Sequence, residues 1–508
     1  MALRGLLCLV AAVAIAGADA RAVPAASPGA PDIAALAALQ PDDTEVRVMS
    51  VPYYATPGDG GGGIFVWQKA STAAPDRCLV FGAPGGGPGR WVRQLQGVPF
   101  SVDMCGTGTA DDSVAFRAAF SVCAGQGVHL SLSARHYYLR ATLNPPPHCA
   151  WDGMGSMGYG SGTLPTVLDF SRAGPAVTEA VNVTGPGGAG DYKPALPFGH
   201  FAIMGHGSSL KRGLYVSRLL GLQIHDVSVT YIPGGGPCFH IGQVQQSAFD
   251  FLYAYGCGSP TSGEIVFDGE TESTTTTASN IFAESDAGNR ALCGVMIDHN
   301  LDFALLSGDA EWSGTPLCIN RRGGGVLGVT VSNFDMEGPS NGASHCVMIG
   351  PDAGGGVVGT NIAFSNFICQ AVRTPITSAF LIRNTRNFRA TNGYTQFPVN
   401  GGTIFAFEGA NEGAVIDGNT GPPGQTSHLV RVAGALVPGA NADTPWYMAA
   451  MPAPVAKLHV CNTSYLGVRR IVTDATRTPA VGIGSVVAGG GPNTVAVGCD
   501  GTSWRIGG

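Results

Sequence analysis

The sequence predicts an all-β protein whose central part is a parallel β-solenoid. Three observations support this fold class. First, 76 of the 508 residues are glycine, 44% are apolar and only 12% are charged, a composition typical of many short strands joined by turns. Second, strand-like apolar segments begin about 27 residues apart between Gly221 and Gly413. Third, acid-x-acid motifs recur at steps of 25 and 26 residues, which is about one coil of a solenoid.

The N-terminus has the pattern of a secretory signal peptide. Arg4 precedes an apolar stretch over residues 6–16, and Ala18-Asp19-Ala20 or Ala20-Arg21-Ala22 offers a small-x-small cleavage site. No later apolar run reaches the roughly 18 residues of a membrane span. We therefore expect a secreted or periplasmic protein without a membrane span.

Changes in composition divide the chain into four segments. They are a signal peptide over residues 1–22, a linker and small β module over residues 23–97, the parallel β-helix over residues 98–430, and a small C-terminal β domain over residues 431–508.

Local motifs predict the elements around the start of the solenoid. Asp32-Ile-Ala-Ala-Leu indicates a short helix, and Ile64-Phe-Val-Trp67 indicates a strand of the small module. Asp111-Asp112-Ser113 predicts the start of a second helix, with Asp112 or Ser113 as its cap. Residues 140–215 are rich in Gly and Pro and are expected to form an irregular flap over the first coils.

The segment after residue 98 resembles the opening segment of the pectate-lyase-like right-handed β-helix superfamily. The matching motifs are Asp103-Met-Cys-Gly106, Asp111-Asp112-Ser113 and Gly127-Val-His-Leu130, with Cys105 and Ser131 where the superfamily has Gly and Pro. The preceding Gly-rich module resembles one that heads phage-tailspike-like members. Together with the coil spacing, the resemblance implies a right-handed parallel β-helix of about eight to twelve coils. The superfamily holds polysaccharide lyases, hydrolases, epimerases and tailspikes, so it implies no single reaction.

The cysteines agree with export. Twelve remain after Cys8 is removed with the signal peptide, an even number typical of a disulfide-permissive compartment. Spacings of about one coil predict that at least two of Cys238–Cys257, Cys293–Cys318 and Cys346–Cys369 are disulfides between neighbouring coils. A buried free thiol at Cys369 is the alternative for the last pair. Cys461–Cys499 would tie the C-terminal domain. Without a CxxC motif or a Cys/His cluster, no zinc site is expected.

The parity of the acid-x-acid motifs predicts an acidic patch. Residues i and i+2 of a strand lie on one side, so Phe334 and Met336 would enter the core while the acids flanking Met336 face outward. Coils stack about 4.8 Å apart, and crowded carboxylates repel, so at least one should be protonated near neutrality as a general acid. The alternative is a solvated acidic face. The predicted catalytic residues are Glu284, Asp286, Asp309, Glu311, Asp335 and Glu337.

Aromatic and amide side chains extend this patch along the neighbouring coils. The predicted substrate-binding residues are Tyr253, Tyr255, Trp312, Gln370, Tyr394 and Gln396. Carboxylates flanked by rings and amides suit a chain of sugars. The predicted function is therefore polysaccharide cleavage, with a glycoside hydrolase favoured over a polysaccharide lyase. The alternative is a non-catalytic glycan-binding or surface-structural β-helix.

The two reaction classes differ in their requirements. A hydrolase would need no metal or other cofactor, whereas a lyase would hold Ca²⁺ at the same carboxylates. The lyase would also need a base, for which Arg321, Arg322, His299 and His345 are near enough in sequence. The signature of polygalacturonases, paired Asp residues near a Gly-His-Gly motif, is absent. A net charge of −7 provides no basic face for nucleic acid. The expected partner is a polysaccharide, and a homo-oligomer is left open.

Overall fold

The structure, a computed structural model, confirms the predicted fold class. A right-handed parallel β-helix follows a small N-terminal β module and precedes a small C-terminal β-sheet. The structure describes residues 29–39, 41, 47–108, 110–156, 165–188, 190–285, 291–337, 345–351, 359–370, 376–396, 403–409, 411, 414–417, 419, 428–432, 435–436, 454–458, 460–461 and 469–507.

Three parallel sheets form the walls of the β-helix, and each coil visits them in the order 1, 2, 3. Sheet 1 contains Glu179–Thr184, Arg212–Ser217, Phe239–Ile241, Thr315–Ile319, His345–Ile349, Ser378–Arg383, Thr403–Glu408 and His428–Val432. Sheet 2 contains Phe100–Ser101, Leu130–Ser131, Trp151–Asp152, Lys193–Pro194, Leu219–Leu220, Val244–Gln245, Leu327–Ser332, Gly359–Ser365, Thr385–Arg386, Arg389–Thr391 and Val415–Asp417. Sheet 3 contains His136–Tyr138, Val167–Asp169, Gly308–Glu311, Phe334–Glu337, Ile368–Gln370 and Tyr394–Gln396.

Longer strands bend from one sheet into the next. Phe198–Met204, Gln223–Thr230 and Ala248–Tyr255 run through sheets 2 and 3, Cys293–Leu305 runs through sheets 1 and 2, and Ile265–Glu284 runs through all three. The short strand Ala435–Leu436 pairs antiparallel with the last strand of sheet 1.

In the described part of the chain, ten coils stack along sheet 3, which agrees with the predicted eight to twelve. One outward position per coil forms a continuous column of register partners. This column runs through Tyr138, Asp169, Met204, Thr230, Tyr255, Glu284, Glu311, Glu337, Gln370 and Gln396, here numbered coils 1 to 10. Inward positions alternate with this column and fill one continuous apolar core, each large side chain contributing about 1.5–3 kcal/mol.

The corner between sheets 2 and 3 is made by residues with left-handed backbone conformation. Asn280, Asn333, Asn366 and Asn392 have φ between 50° and 54°, a region that Asn tolerates better than most residues. Asn366 donates its side-chain amide to Asn333 Oδ1 at 3.4 Å. The recurring Asn residues therefore have a structural role at this corner. These turns separate the outward faces of sheets 2 and 3.

The N-terminal end of the solenoid is covered by the predicted helix, Ser113–Gln126. Asp112 is the N-cap residue, but its side chain accepts no bond from the helix and instead accepts from Tyr138 N at 3.1 Å. Asp111 Oδ1 accepts from Ser113 N at 3.0 Å. The predicted helix start is confirmed, and the capping hydrogen bond comes from one residue earlier. The 3-10 helix Val102–Cys105 precedes it.

Small sheets stand before and after the solenoid in the chain. The N-terminal sheet has the order Val48–Val51, Gly63–Gln68, Arg90–Gln94, Val80–Gly82, and the predicted short helix is Ile33–Ala38 with Asp32 capping Ala35 N. The C-terminal sheet contains Arg469–Ala475, Asn493–Cys499 and Trp504–Ile506, and the short helices Val455–Lys457 and Pro479–Gly482 lie in the same part of the chain.

The disulfide predictions are confirmed, and the alternative of a free thiol at Cys369 was wrong. All three coil-spaced pairs are bonded, with Cα–Cα distances of 5.5, 5.9 and 6.1 Å, as is Cys461–Cys499. Two further bonds, Cys78–Cys105 and Cys123–Cys149, fasten the start of the solenoid.

The expectation of an irregular flap over residues 140–215 was wrong. This segment contributes strands to all three sheets, among them Trp151–Asp152, Val167–Asp169 and Glu179–Thr184. Its long connections interrupt the coil spacing, so the strands do not recur at a constant interval in the sequence. Among the described residues, no helix is long and apolar enough to cross a bilayer.

Candidate active site on sheet 3

Sheet 3 presents two outward columns of side chains, separated by two positions along each strand. One column reads Ser228, Tyr253, Phe282, Asp309, Asp335, Ile368 and Tyr394, and the other reads Thr230, Tyr255, Glu284, Glu311, Glu337, Gln370 and Gln396. Consecutive members are partners in parallel register, so their strands lie about 4.8 Å apart. Aromatic side chains directly precede the acids, and after the acids the first column carries Ile368 and Tyr394 while the second carries Gln370 and Gln396.

The predicted parity of the acidic strands is confirmed. Phe334 and Met336 are buried, at 1% and 0% exposure, while the acids beside them are partly exposed. In the preceding coil Ala310 is fully buried between the partly exposed Asp309 and Glu311. The strand alternation therefore turns both acids of each motif outward, as a period of two requires.

The predicted alignment of the first acidic motif was wrong by two residues. Glu284 pairs with Glu311, and Phe282 occupies the position beside Asp309. A shift of two residues keeps each side chain on its side of the sheet, so Glu284 still faces outward. Asp286 lies outside the described residues. We call the five described carboxylates the acidic cluster: Glu284, Asp309, Glu311, Asp335 and Glu337.

Asp309 is the most perturbed member of the acidic cluster. Burial, a hydrogen bond with Glu311 and the charges of the neighbouring acids raise the pKa of the Asp309 carboxyl to about 8. Its Oδ1 is shielded from solvent and has no hydrogen-bond partner among the described residues. The neighbouring acids whose charges raise the pKa of Asp309 are Glu311, Asp335 and Glu337. Asp309 is therefore protonated at neutral pH, as the crowding argument predicted for at least one carboxyl.

Two other acids of the cluster are shifted in the same direction. Burial, followed by the charge of Glu337, raises the pKa of Asp335, whose Oδ2 accepts from Gln370 Nε2 at 3.3 Å. Burial and the charge of Glu311 raise the pKa of Glu284, against the hydrogen bond that Tyr253 donates to its Oε2 at 3.0 Å. Burial and neighbouring acids thus disfavour the ionisation of both Asp335 and Glu284.

A pocket of about 430 Å³ opens beside the acidic cluster. Its lining residues are Phe251, Tyr253, Phe282, Ala283, Glu284, Asp309 and Glu311. The rings of Phe251 and Phe282 contact at 5.6 Å between centroids. Phe251 and Phe282 were not among the predicted residues, and Phe282 was missed because the two-residue misalignment placed Glu284 at its position. Three acids and three aromatic rings therefore share one cavity.

The predicted substrate-binding residues lie on both sides of the acids. Tyr253 lines the pocket, and Tyr255 is the register partner of Glu284. Trp312 follows the acids in coil 7 and donates its indole N–H to Glu311 Oε2 at 3.0 Å. In the last two coils, Gln370 contacts Asp335, while Tyr394 and Gln396 are exposed.

The bases considered for a lyase lie away from these columns. His299 and Arg322 both pair with Asp268 of sheet 1, at 3.0 and 2.5 Å. His345 also lies in sheet 1, where its Nδ1 is 2.7 Å from Ser378 Oγ, and Arg321 follows the sheet 1 strand Thr315–Ile319. From Tyr253 to Gln396, the two outward columns contain no Arg, Lys or His.

Comparison with known proteins agrees with the architecture. Residues 29–96 match the family of the phage tail protein small four-stranded β-sheet domain. The gp42 tailspike of Acinetobacter phage vb_AbaP_AS12 aligns with 93% of this chain and 89% of its own, at 15% identity and a TM-score of 0.53. The enzymatically active domain of tailspike protein 4 from bacteriophage CBA120 aligns at 11% identity and a TM-score of 0.53, covering 78% of this chain.

The chain aligns with 54% of that CBA120 domain, about half of its length. No curated protein matches the sequence significantly. At these identities the likeness concerns the fold alone. The solenoid has the parallel β-helix fold that the resemblance of the opening segment implied.

Proposed function

We propose that this β-helix protein cleaves a polysaccharide at the acidic cluster, as a glycoside hydrolase. The observation that carries the proposal is the Asp309 carboxyl, whose pKa is raised to about 8 by burial and by the acids around it. A glycosidase needs one carboxylic acid to protonate the departing oxygen and one carboxylate on the other side of the scissile bond. A protonated acid beside ionisable acids supplies this pair.

The neighbourhood of Asp309 supports a sugar ligand. The pocket joins the rings of Phe251, Tyr253 and Phe282 to three carboxylates, and a sugar ring has apolar faces and a polar hydroxyl edge. Small-molecule sites are mostly apolar with a few placed polar groups. Beyond the pocket one column continues to Tyr394 and the other through Gln370 to Gln396, so a chain of several sugars would find contacts across coils 5 to 10.

The roles in catalysis follow from the register. Asp309 would donate its proton to the glycosidic oxygen as the bond to the anomeric carbon breaks. Asp335, its partner in the next coil, would attack that carbon if the two carboxyl groups lie about 5–5.5 Å apart, with retention. Glu337, two positions further along that strand, would activate a water if the wider separation of an inverting enzyme applies.

A lyase finds less support on this face. Such an enzyme needs a base to remove the proton beside a uronate carboxyl, and the columns from Tyr253 to Gln396 carry no Arg, Lys or His. The bases considered from the sequence have other partners in sheet 1. This difference favours hydrolysis over elimination.

The six disulfides support a site of action outside the reducing cytoplasm. The signal peptide that would direct export lies outside the described residues and stays a prediction.

The test is a screen of the purified protein against capsular and other exported polysaccharides. A hydrolase releases reducing ends without new ultraviolet absorbance and without a need for Ca²⁺. Absorbance from an unsaturated sugar that disappears with EDTA would replace hydrolysis by Ca²⁺-dependent elimination. Retained glycan binding without any cleavage would contradict the enzyme and leave a binding protein.

A further inference from the structure

A second group of titratable side chains lies at the other end of the solenoid. Asp152, His200 and His225, here called the histidine cluster, belong to coils 2, 3 and 4 at the edge of sheet 2. One ligand atom from each lies within 4.8 Å of the others. The acidic cluster occupies coils 6 to 8 of sheet 3, so the histidine cluster is a separate site.

The geometry of the histidine cluster is close to that of a metal site. His225 Nε2 lies 3.7 Å from Asp152 Oδ1. Two ligands of a tetrahedral Zn²⁺ at about 2.0–2.1 Å stand roughly 3.3 Å apart, so a small movement of either side chain would let one ion contact both. Asp152 Oδ1 is shielded from solvent and has no hydrogen-bond partner among the described residues.

The outer contacts are those that metal ligands usually have. His200 Nδ1 lies 2.9 Å from Asp226 Oδ2, which leaves its Nε2 for an ion, and Asp226 is itself held by Ser156 Oγ at 2.6 Å. The second oxygen of Asp152 lies 2.9 Å from His129 Nε2. Ligating histidines commonly bond a carboxylate through their other nitrogen, and ligating carboxylates are hydrogen-bonded in turn.

Gly199 leaves the space between the ligands open. It stands between Asp152 and His225 in the register of sheet 2, where a side chain would point outward among them. A Cβ there would lie 1.9 Å from the backbone oxygen of His225 and 3.0 Å from its ring carbon. The His225 ring therefore lies over Gly199 and reaches toward Asp152 across an intervening coil.

We propose that Asp152, His200 and His225 bind one divalent transition-metal ion of the zinc type. Two imidazoles and one carboxylate are a ligand set that suits Zn²⁺, and a fourth position would be open to water. Bound there, the ion would join three successive coils near the start of the solenoid and stabilise them. No local motif indicates this site, because successive ligands are 48 and 25 residues apart in the sequence and meet only through coil stacking.

The experiment is a titration of the EDTA-dialysed full-length protein with Zn²⁺ by calorimetry, with Co²⁺ as a spectroscopic probe. We expect one ion per chain, a ligand-field absorption of Co²⁺, and a higher unfolding temperature with Zn²⁺. His200→Asn and His225→Gln should each weaken Zn²⁺ binding by at least about a hundredfold, the upper end of the 10–100-fold typical of outer-contact changes.

His200→Asn is the safer variant for folding, because residue 200 has φ of 58°, which Asn tolerates. The matched control is His136→Asn, since His136 forms a single pair with Asp169 at 3.7 Å and belongs to no metal-ligand group among the described residues. Absence of Zn²⁺ binding by the folded wild-type protein would overturn the proposal. Binding that survives in both cluster variants, or that His136→Asn reduces equally, would place the ion elsewhere and overturn it as well.

Discussion

Sheets 1 and 3 of the solenoid both carry groups of acidic side chains, but the surroundings of these acids differ. On sheet 1, Asp268 lies 2.5 Å from the Arg322 guanidinium and 3.0 Å from His299 Nδ1, and the fully buried Asp298 is 4.0 Å from the same guanidinium. On sheet 3, the acidic cluster has mainly other acids as neighbours. Burial raises the pKa of Asp298, but Arg322 opposes that rise. Burial also raises the pKa of Asp309, and the charges of the neighbouring acids raise it further.

The difference separates a structural arrangement from a candidate catalytic one. An acid paired with a cation stabilises the fold through that pair, and removing the cation leaves a buried charge without its partner. Acids that face one another gain nothing for folding, because each makes the ionisation of its neighbours harder. Such an arrangement is expected where a perturbed pKa serves chemistry. Changes on sheet 3 should therefore affect turnover and spare folding, and changes on sheet 1 should do the reverse.

The largest expected effect is the loss of turnover in Asp309→Asn. Without its proton donor the enzyme should lose about 10³-fold in kcat, within the range of general acid catalysis, while its unfolding midpoint stays the same or rises. Asp335→Asn and Glu311→Gln should also abolish turnover with the fold intact, as measured by reducing-end release and circular dichroism. Asp302→Asn, an exposed acid in a left-handed turn of sheet 2, is the control. Full activity in both Asp335→Asn and Glu311→Gln would show that the acidic cluster is only a solvated surface without a catalytic role.

The converse change is Arg322→Met on sheet 1. It leaves Asp268 and Asp298 without their guanidinium partner, and we expect a loss of about 2 kcal/mol in the free energy of unfolding. This is less than the 3–5 kcal/mol of a fully buried pair, because the Arg322 side chain is 41% exposed. Turnover should stay within about twofold. Arg389→Met, on an exposed position of sheet 2, should change stability by less than about 0.5 kcal/mol. A large drop in turnover with unchanged stability would remove the distinction between the two walls.

The pH dependence of stability should sharpen the comparison further. The folded-state pKa of Asp309 is about 8 against an ordinary value of 3.8, so the folded protein binds this proton more tightly than the unfolded chain. Below pH 3.8 the group makes no difference, and its ionisation penalty grows as the pH rises toward 8. Asp309→Asn should therefore gain stability relative to the wild type over this window, by about 2 kcal/mol after allowance for solvent screening. Denaturant unfolding at a series of pH values measures it, and a constant difference between the two proteins would contradict the assignment.

The smallest expected effect concerns the exposed ring at the end of the first column. Tyr394 is 39% exposed and lies three coils from Asp309, so it would contact the sugar chain without touching the reacting bond. Tyr394→Ala should raise KM about fivefold, equivalent to about 1 kcal/mol for an aromatic contact, and leave kcat within about twofold. Leu327→Ala, a similarly exposed side chain on sheet 2 at 42%, should leave both constants unchanged. Equal effects of the two substitutions would show that the substrate does not extend to coil 10.

Much of this fold was predictable because coil spacing and strand parity are both readable from a sequence. Cysteines one coil apart proved to be bonded, and Met336 and Ala310 enter the core as their neighbours turn outward. The register of Glu284 was predicted wrongly, because strand parity alone cannot distinguish two registers that differ by two residues. A strand that slips by two residues presents the same faces, so an acid-x-acid motif aligns equally well with Asp309 or, as observed, with Glu311.

The remaining features depend on distances along the solenoid that no local motif records. Phe251 and Phe282 line the pocket only through the observed register. His200 and His225 approach Asp152 because coils 2, 3 and 4 stack in this register. Such contacts follow from the stacking of complete coils, and the long connections between residues 140 and 215 hide that stacking from the sequence.

The central claim is that Asp309 carries a proton at neutral pH, and infrared difference spectroscopy tests it without a substrate. The spectrum of the wild type minus Asp309→Asn at pH 7 should contain the carbonyl band of a protonated carboxylic acid, and this band should disappear as the pH rises above about 8. The subtraction removes the contribution of the buried Glu264, whose pKa burial also raises. A difference spectrum without that band at pH 7 would show that Asp309 is ionised and would contradict its role as the general acid.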